Sequence, residues 1–96
     1  MRRQVAIRAM VQVNDLLPMA SRDVLAFEGP QRAIHGALRE SGVTLGDLSF
    51  AEVHDCFTIA EIVATEDLGF FAPGEGPRAV DEGRTARDGD LSLIHI

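Results

Sequence analysis

The hydrophobic period of this chain switches between two and about 3.6 along its length, and the order of the switches limits what it can fold into. Gln4 to Gln12 alternates Val5, Ile7, Ala9 and Val11 with Ala6, Arg8, Met10 and Gln12, the period of a strand. Asn14, Asp15 and Pro18 break the run, and Leu16 to Phe27 reads as an irregular connection. Glu28-Gly29-Pro30 then opens a helix with Ala33, Ile34, Ala37 and Leu38 as its apolar stripe and Gly42 as its C-terminal cap. Thr44 to Asp47 has the spacing of one capped turn, and Leu48 to His54 reads as a second strand. Thr58 and Glu61 fit a capping box, with Phe57 and Ile62 placed as a hydrophobic staple. The helix they open, carrying Ile59, Ile62, Val63 and Leu68 with few polar positions, is expected to be largely buried and to end at Gly69. Strand, helix, strand, helix is the order of an α/β layer with both strands in one sheet. Two strands do not make a stable sheet, so the pattern implies further strands in a partner or in chain beyond this sequence.

At 96 residues and 46% apolar side chains the chain is one domain with a thin core. Its charge is lopsided: nine arginines and no lysine face fifteen acidic residues, for a net −6. Arg2, Arg3 and Arg8 are the only charges in the first fourteen residues, so the rest of the chain is strongly acidic, which opposes a nucleic-acid role. No uncharged stretch approaches the roughly 18 residues of a membrane span, and no charged start leads into a signal-peptide core. The expected compartment is the cytoplasm. Cys56 is the sole cysteine, so no internal disulfide forms and its role is chemical or steric. Pro73 to Asp90 is Gly-rich and charged, with one helical turn expected near Ala79 to Glu82 and a solvated acidic loop from Asp81 to Asp90.

His54-Asp55-Cys56-Phe57 falls where the second strand gives way to a helix N-terminus. In open α/β sheets ligands bind at the strands' C-terminal edge, and a helix start there favours negative charge. A thiol so placed can be shifted toward thiolate, and an imidazole beside it can donate to an oxygen or exchange a proton. Residues two apart on extended chain share a side, so His54 and Cys56 are expected to face one cavity and Asp55 and Phe57 to face away. Spacing alone favours a buried cysteine and a satisfied junction histidine over a functional pair. The bland reading is preferred elsewhere. His35 reads as a surface residue, and Gly74-Glu75-Gly76 as a turn lacking the lysine of a phosphate loop. Phe70 and Phe71 are expected to pack under the preceding helix. A zinc site from His54, Asp55 and Cys56 fails because adjacent side chains splay and other ligands are too few.

The wider run, Phe50 through His54-Asp55-Cys56-Phe57 to Glu61, followed by Glu66-Asp67-Leu68-Gly69, Gly74-Glu75-Gly76, Gly83 and Gly89, resembles the C-terminal domain of thiolases. It is most similar to the sterol-carrier-protein type, also represented among acetyl-CoA acetyltransferases, in which H-D-C-F replaces the N-E-A-F of other thiolases. The resemblance runs from about Val5 to Asp90. It implies a partial thiolase-like α/β fold, a fragment of the C-terminal half of a five-layer αβαβα architecture. It further implies an acyl-CoA C-acyltransferase of lipid metabolism, acting on 3-oxoacyl-CoA through an acyl-cysteine intermediate, with coenzyme A as substrate and no metal or redox cofactor. His54 matches the motif histidine, the donor to the thioester enolate oxygen, and Cys56 the motif cysteine, an acid or base toward the substrate α-carbon. The parent is expected to be a homodimer or homotetramer, with a lipid-transfer or OB-fold partner allowed.

The family's nucleophilic cysteine belongs upstream of Met1, and its G-H-P histidine and C-x-G cysteine beyond Ile96. The chain alone is therefore expected to be inactive. Residues 1–90 read as the partial domain. Leu91 to Ile96 stands where relatives continue into Asn-Pro-Ser-Gly-Gly, and matches a translation of CTG TCT CTT ATA CAC ATC, a transposon end used in shotgun libraries. It is expected to be an artefactual tail on a truncated gene, so His95 is given no role. Two other readings stand beside the acyltransferase: a thiolase-fold aldolase or lyase acting on steroid side-chain thioesters, and a non-catalytic partner subunit of a thiolase-like heteromer.

Overall fold

A computed structural model describes residues 3–94. Helix α1 spans Glu28–Ser41, strand β1 Phe50–Glu52, helix α2 Thr58–Asp67, helix α3 Gly76–Asp81 and strand β2 Ser92–Ile94.

Helix α1 half-buries its stripe of Ala33, Ile34, Ala37 and Leu38 and ends at Gly42. That residue takes φ 68°, the left-handed conformation which glycine reaches without a Cβ penalty. The start of the helix is less ordinary, because Phe27 at the N-cap offers no side-chain acceptor. Two distant carboxylates take that part. Asp67 Oδ2 accepts from the Phe27 N–H at 3.0 Å, and Asp15 Oδ2 from the Gly29 N–H at 3.1 Å. Both satisfy donors that the first turn leaves open, and negative charge suits that end of the helix dipole. A single 3-10 turn over Leu45–Asp47 comes next, held as its spacing predicts: Asp47 Oδ2 accepts from the Thr44 amide at 2.9 Å and the Thr44 hydroxyl at 2.6 Å.

The sheet departs from the sequence reading. Residues 4–12 join no strand, and Val5 and Ile7 are 94% and 84% exposed. Alternation survives only at Ala9, Val11 and Val13, which are half-buried; Val11 packs so close to Gly36 of α1 that a Cβ there would lie 3.3 Å from its Cγ1. A period of two supplies a face but not a ladder, and among the described residues no neighbouring strand offers one. The strand expected over Leu48 to His54 contracts to Phe50–Glu52, and its partner is β2, in parallel, with Phe50 opposite Ser92 and Glu52 opposite Ile94. The residue before β2, Leu91, is fully buried and packs with Leu68, Ile34, Ala51, Val53 and Phe70.

The entrance to α2 also differs by one step. Phe57 is the N-cap, extended at φ −141°, ψ 150°, and Thr58 is already helical, so the capping box and staple drawn from Thr58, Glu61, Phe57 and Ile62 are replaced. Phe57 is 72% exposed. Val63, Thr65, Asp67 and Leu68 are buried, and Gly69 at φ 83° ends the helix as expected. The turn expected near Ala79 is α3, which starts three residues earlier. Its Gly76 donates to Glu66 Oε1 at 2.8 Å and sits so near α2 that a Cβ would come within 2.8 Å of Ile62 Cγ2. Phe71 is buried, with the Arg84 guanidinium 4.7 Å from its ring centroid. In the acidic loop Arg84 Nε meets Asp90 at 2.7 Å. His35 is exposed.

Candidate active site

The segment from Val53 to Phe57 carries the chain from the end of β1 to the start of α2, placing His54 two residues past the strand and Cys56 two before the helix. Both side chains are exposed and line one cavity of about 360 Å³. Asp55 and Phe57 are not among its lining residues. The expectation that alternate positions share a side therefore holds in the geometry. Neither residue is sealed in the core, so the buried-cysteine reading of Cys56 is set aside.

Val53 and two helices build the remaining walls. Phe27, Pro30 and Ile34 come from the start and first turns of α1, while Ala60, Ala64 and Leu68 come from successive turns of α2. Small side chains at Ala60 and Ala64 leave the space between the two helices open at this point. Asp67 also lines the cavity, but it is only 4% exposed and both oxygens are engaged: Oδ2 with the Phe27 amide and Oδ1 with Gln31 Nε2 at 2.6 Å. An acidic side chain in the last turn of a helix opposes the dipole, and these donors offset that cost. Asp67 thus fixes the wall of α1 against α2. Sequence reasoning placed Asp67 within a family pattern without seeing this tether; the signal was a carboxylate in the last turn of an otherwise apolar helix.

Chemically, the arrangement offers an imidazole and a thiol at the mouth of an apolar slot, beside the N-terminus of α2. Each can donate a hydrogen bond or exchange a proton. A second hollow of about 400 Å³ lies between α2 and the Pro73 to Pro77 segment, lined by Leu25, Ile59 and Ile62 and by carboxylates, without a histidine or cysteine. Although larger, it lacks the groups for thiol or imidazole chemistry. Among the described residues no cluster of three or more His, Cys, Asp or Glu side chains is placed to hold a metal ion. No helix of the described residues is long and apolar enough to cross a membrane.

A histidine and a cysteine thus sit where strand β1 gives way to helix α2 within an α/β layer. The chain belongs to the thiolase C-terminal domain-like family, whose profile matches residues 11–94. It is 39% identical over 90 residues to an acetyl-CoA acetyltransferase of Methanothermobacter thermautotrophicus, covering 93% of this chain and 24% of that protein. It is 33% identical over 60 residues to human sterol carrier protein 2, covering 62% of this chain and 11% of that one. Among solved structures, an Ltp2-ChsH2(DUF35) aldolase superposes with a TM-score of 0.70 at 24% identity, over 74% of this chain and 19% of that chain, which establishes the fold. The chain thus spans a quarter or less of the length of these relatives.

Proposed function

We propose that this chain is the C-terminal-domain portion of an acyl-CoA C-acyltransferase that cleaves or forms 3-oxoacyl-CoA, with His54 and Cys56 as catalytic residues. The observation that carries the reading is the convergence of both side chains on one apolar cavity, in a chain 39% identical to an acetyl-CoA acetyltransferase. Cleavage of the carbon–carbon bond leaves its electron pair on a thioester enolate, and a donor held at the enolate oxygen lowers that barrier. His54 is that donor, directly or through water. Cys56 delivers or removes the proton at the α-carbon. The acyl group is carried by a nucleophilic cysteine outside these 96 residues, since Cys56 is the single thiol here and serves as acid–base group. By this reading the isolated chain turns over nothing, coenzyme A is a substrate, and the short sheet is completed in an oligomeric cytoplasmic parent.

The test uses an intact relative and the isolated chain together. In the intact enzyme, replacing the counterpart of His54 by Ala is expected to lower kcat about 10²- to 10³-fold, the usual effect of removing one oxyanion donor. Unchanged turnover would sink the catalytic assignment. CoA-dependent cleavage of a 3-oxoacyl-CoA by the purified 96-residue chain would sink the claim of inactivity. Cleavage by the intact enzyme that needs no added CoA would place the parent among the lyases.

A further inference from the structure

Residues 3–8 are exposed without exception, and Val5 and Ile7, at 94% and 84%, are among the most open apolar side chains of the molecule. The segment has the alternation of a strand, yet among the described residues its backbone groups make no hydrogen bond. Just beyond it the chain is anchored on α1. Arg8 Nη2 donates to the Ser41 carbonyl at 2.9 Å, and Val11 lies close to Gly36. Residues 3–7 are therefore an arm leading from a fixed point. The molecule measures 52 Å in its longest dimension, and its radius of gyration is 14.3 Å, against about 13 Å for a compact domain of this length.

Strand β1 is bonded to β2 on one side only among the described residues. Its other side presents unpaired backbone groups, beside Phe50, which is 57% exposed, and the exposed Glu52. Charge suits the arm to that side. The first fourteen residues hold three arginines and no acid, whereas Phe50 to Ile94 holds ten acidic residues and three arginines. An antiparallel pairing with Val5 opposite Phe50 sets Arg3 opposite Glu52 and Ile7 opposite Leu48. These are a β-branched residue with an aromatic one, opposite charges, and two aliphatic side chains, all cross-strand pairs that stabilise a sheet. Moving two residues either way removes the charge pair, so the pattern specifies this register. We propose that the arm's partner is a second copy of this chain. Residues 3–7 of each copy add an antiparallel strand to the free side of β1 in the other, giving a symmetric pair. The pairing is independent of the chemistry at His54 and Cys56.

Sedimentation velocity of the 96-residue chain at rising concentration tests the proposal. The mass is expected to climb from 10.4 kDa and level at twice that value. Hydrogen exchange at residues 4–7 and at Phe50–Glu52 should slow together as the pair forms. Arg3→Glu and Glu52→Arg change exposed side chains, and each sets like charges opposite one another at both junctions. Each alone should raise the concentration of half-association about tenfold. Mixing the two variants in equal amounts restores opposite charges at both junctions, and association should return to that of the unaltered chain. A mass fixed at 10.4 kDa throughout, or growth that runs past the pair without levelling, overturns the proposal. So does association that neither variant weakens, or a weakening that the mixture does not reverse.

Discussion

Asp67 at the end of α2 and Gln31 in the first turn of α1 are joined by a 2.6 Å hydrogen bond, and the same carboxylate holds the Phe27 amide. Two donors at the start of α1 thus meet one buried carboxylate from α2. Asp67→Ala leaves those donors without an acceptor, and the expected loss is about 2–4 kcal/mol, the range for breaking buried charge-assisted hydrogen bonds. Asp67→Asn keeps one acceptor and should lose less. Urea unfolding of both variants decides it, and an unchanged midpoint for Asp67→Ala would show that the tether contributes nothing.

Leu91 stands fully buried against Leu68 at the start of β2. Truncation to Ala should cost about 2–4 kcal/mol, from lost transfer energy plus the cavity left behind. The same denaturation measurement reads it. A loss below about 0.5 kcal/mol, the usual size of a surface effect, would mean that the residues from Leu91 onward are peripheral to the fold.

Gly76 separates α3 from α2 by less than a methyl group allows, with Ile62 Cγ2 2.8 Å, Glu66 Oε1 2.9 Å and the Ile62 carbonyl 3.1 Å from a built Cβ. Gly76→Ala should destabilise by about 1–3 kcal/mol, as overpacking does. A variant as stable as the parent chain would show that α3 shifts freely.

The Asp15 carboxyl lies below its ordinary value of 3.8, held there chiefly by the Arg22 guanidinium bonded to it, which outweighs the opposing effect of dehydration, with a lesser contribution from the Gly29 amide. A carboxylate with a depressed folded-state pKa stabilises the fold above its unfolded value, and that contribution is lost as the pH falls through the folded one. Stability is therefore expected to decline from about pH 4 downward. Asp15→Asn should flatten part of that decline, and added salt should weaken the Arg22 share. An identical acid profile for the variant would remove Asp15 as a cause.

Features fixed within one or two helical turns were legible in the sequence. The Ala33 to Leu38 stripe, the Gly42 and Gly69 stops and the Thr44–Asp47 turn all come from side chains three or four positions apart. Strand pairing was not legible, because alternation at Gln4 to Gln12 says which face a strand would bury and nothing about what lies beside it. Phe57 displaced Thr58 from the cap because the extended backbone after β1 continues one residue further than the capping pattern suggested. At the site, the position of His54 and Cys56 between a strand and a helix could be read locally, while their selection as a pair came from the wider resemblance. The opposite wall of Phe27, Pro30 and Ile34 could not, since it arises only when residues 28–41 fold back onto residues 58–67 through Asp67.

The ribbon formed by Phe50–Glu52 and Ser92–Ile94 has no third strand bonded to either side among the described residues. Bare flanks of this kind are templates that other molecules extend. The purified chain should accordingly scatter more light as its concentration rises, and a Lys in place of the exposed Val5 or Ile7, on the extended first segment, should delay the onset by adding charge where apolar surface now faces water.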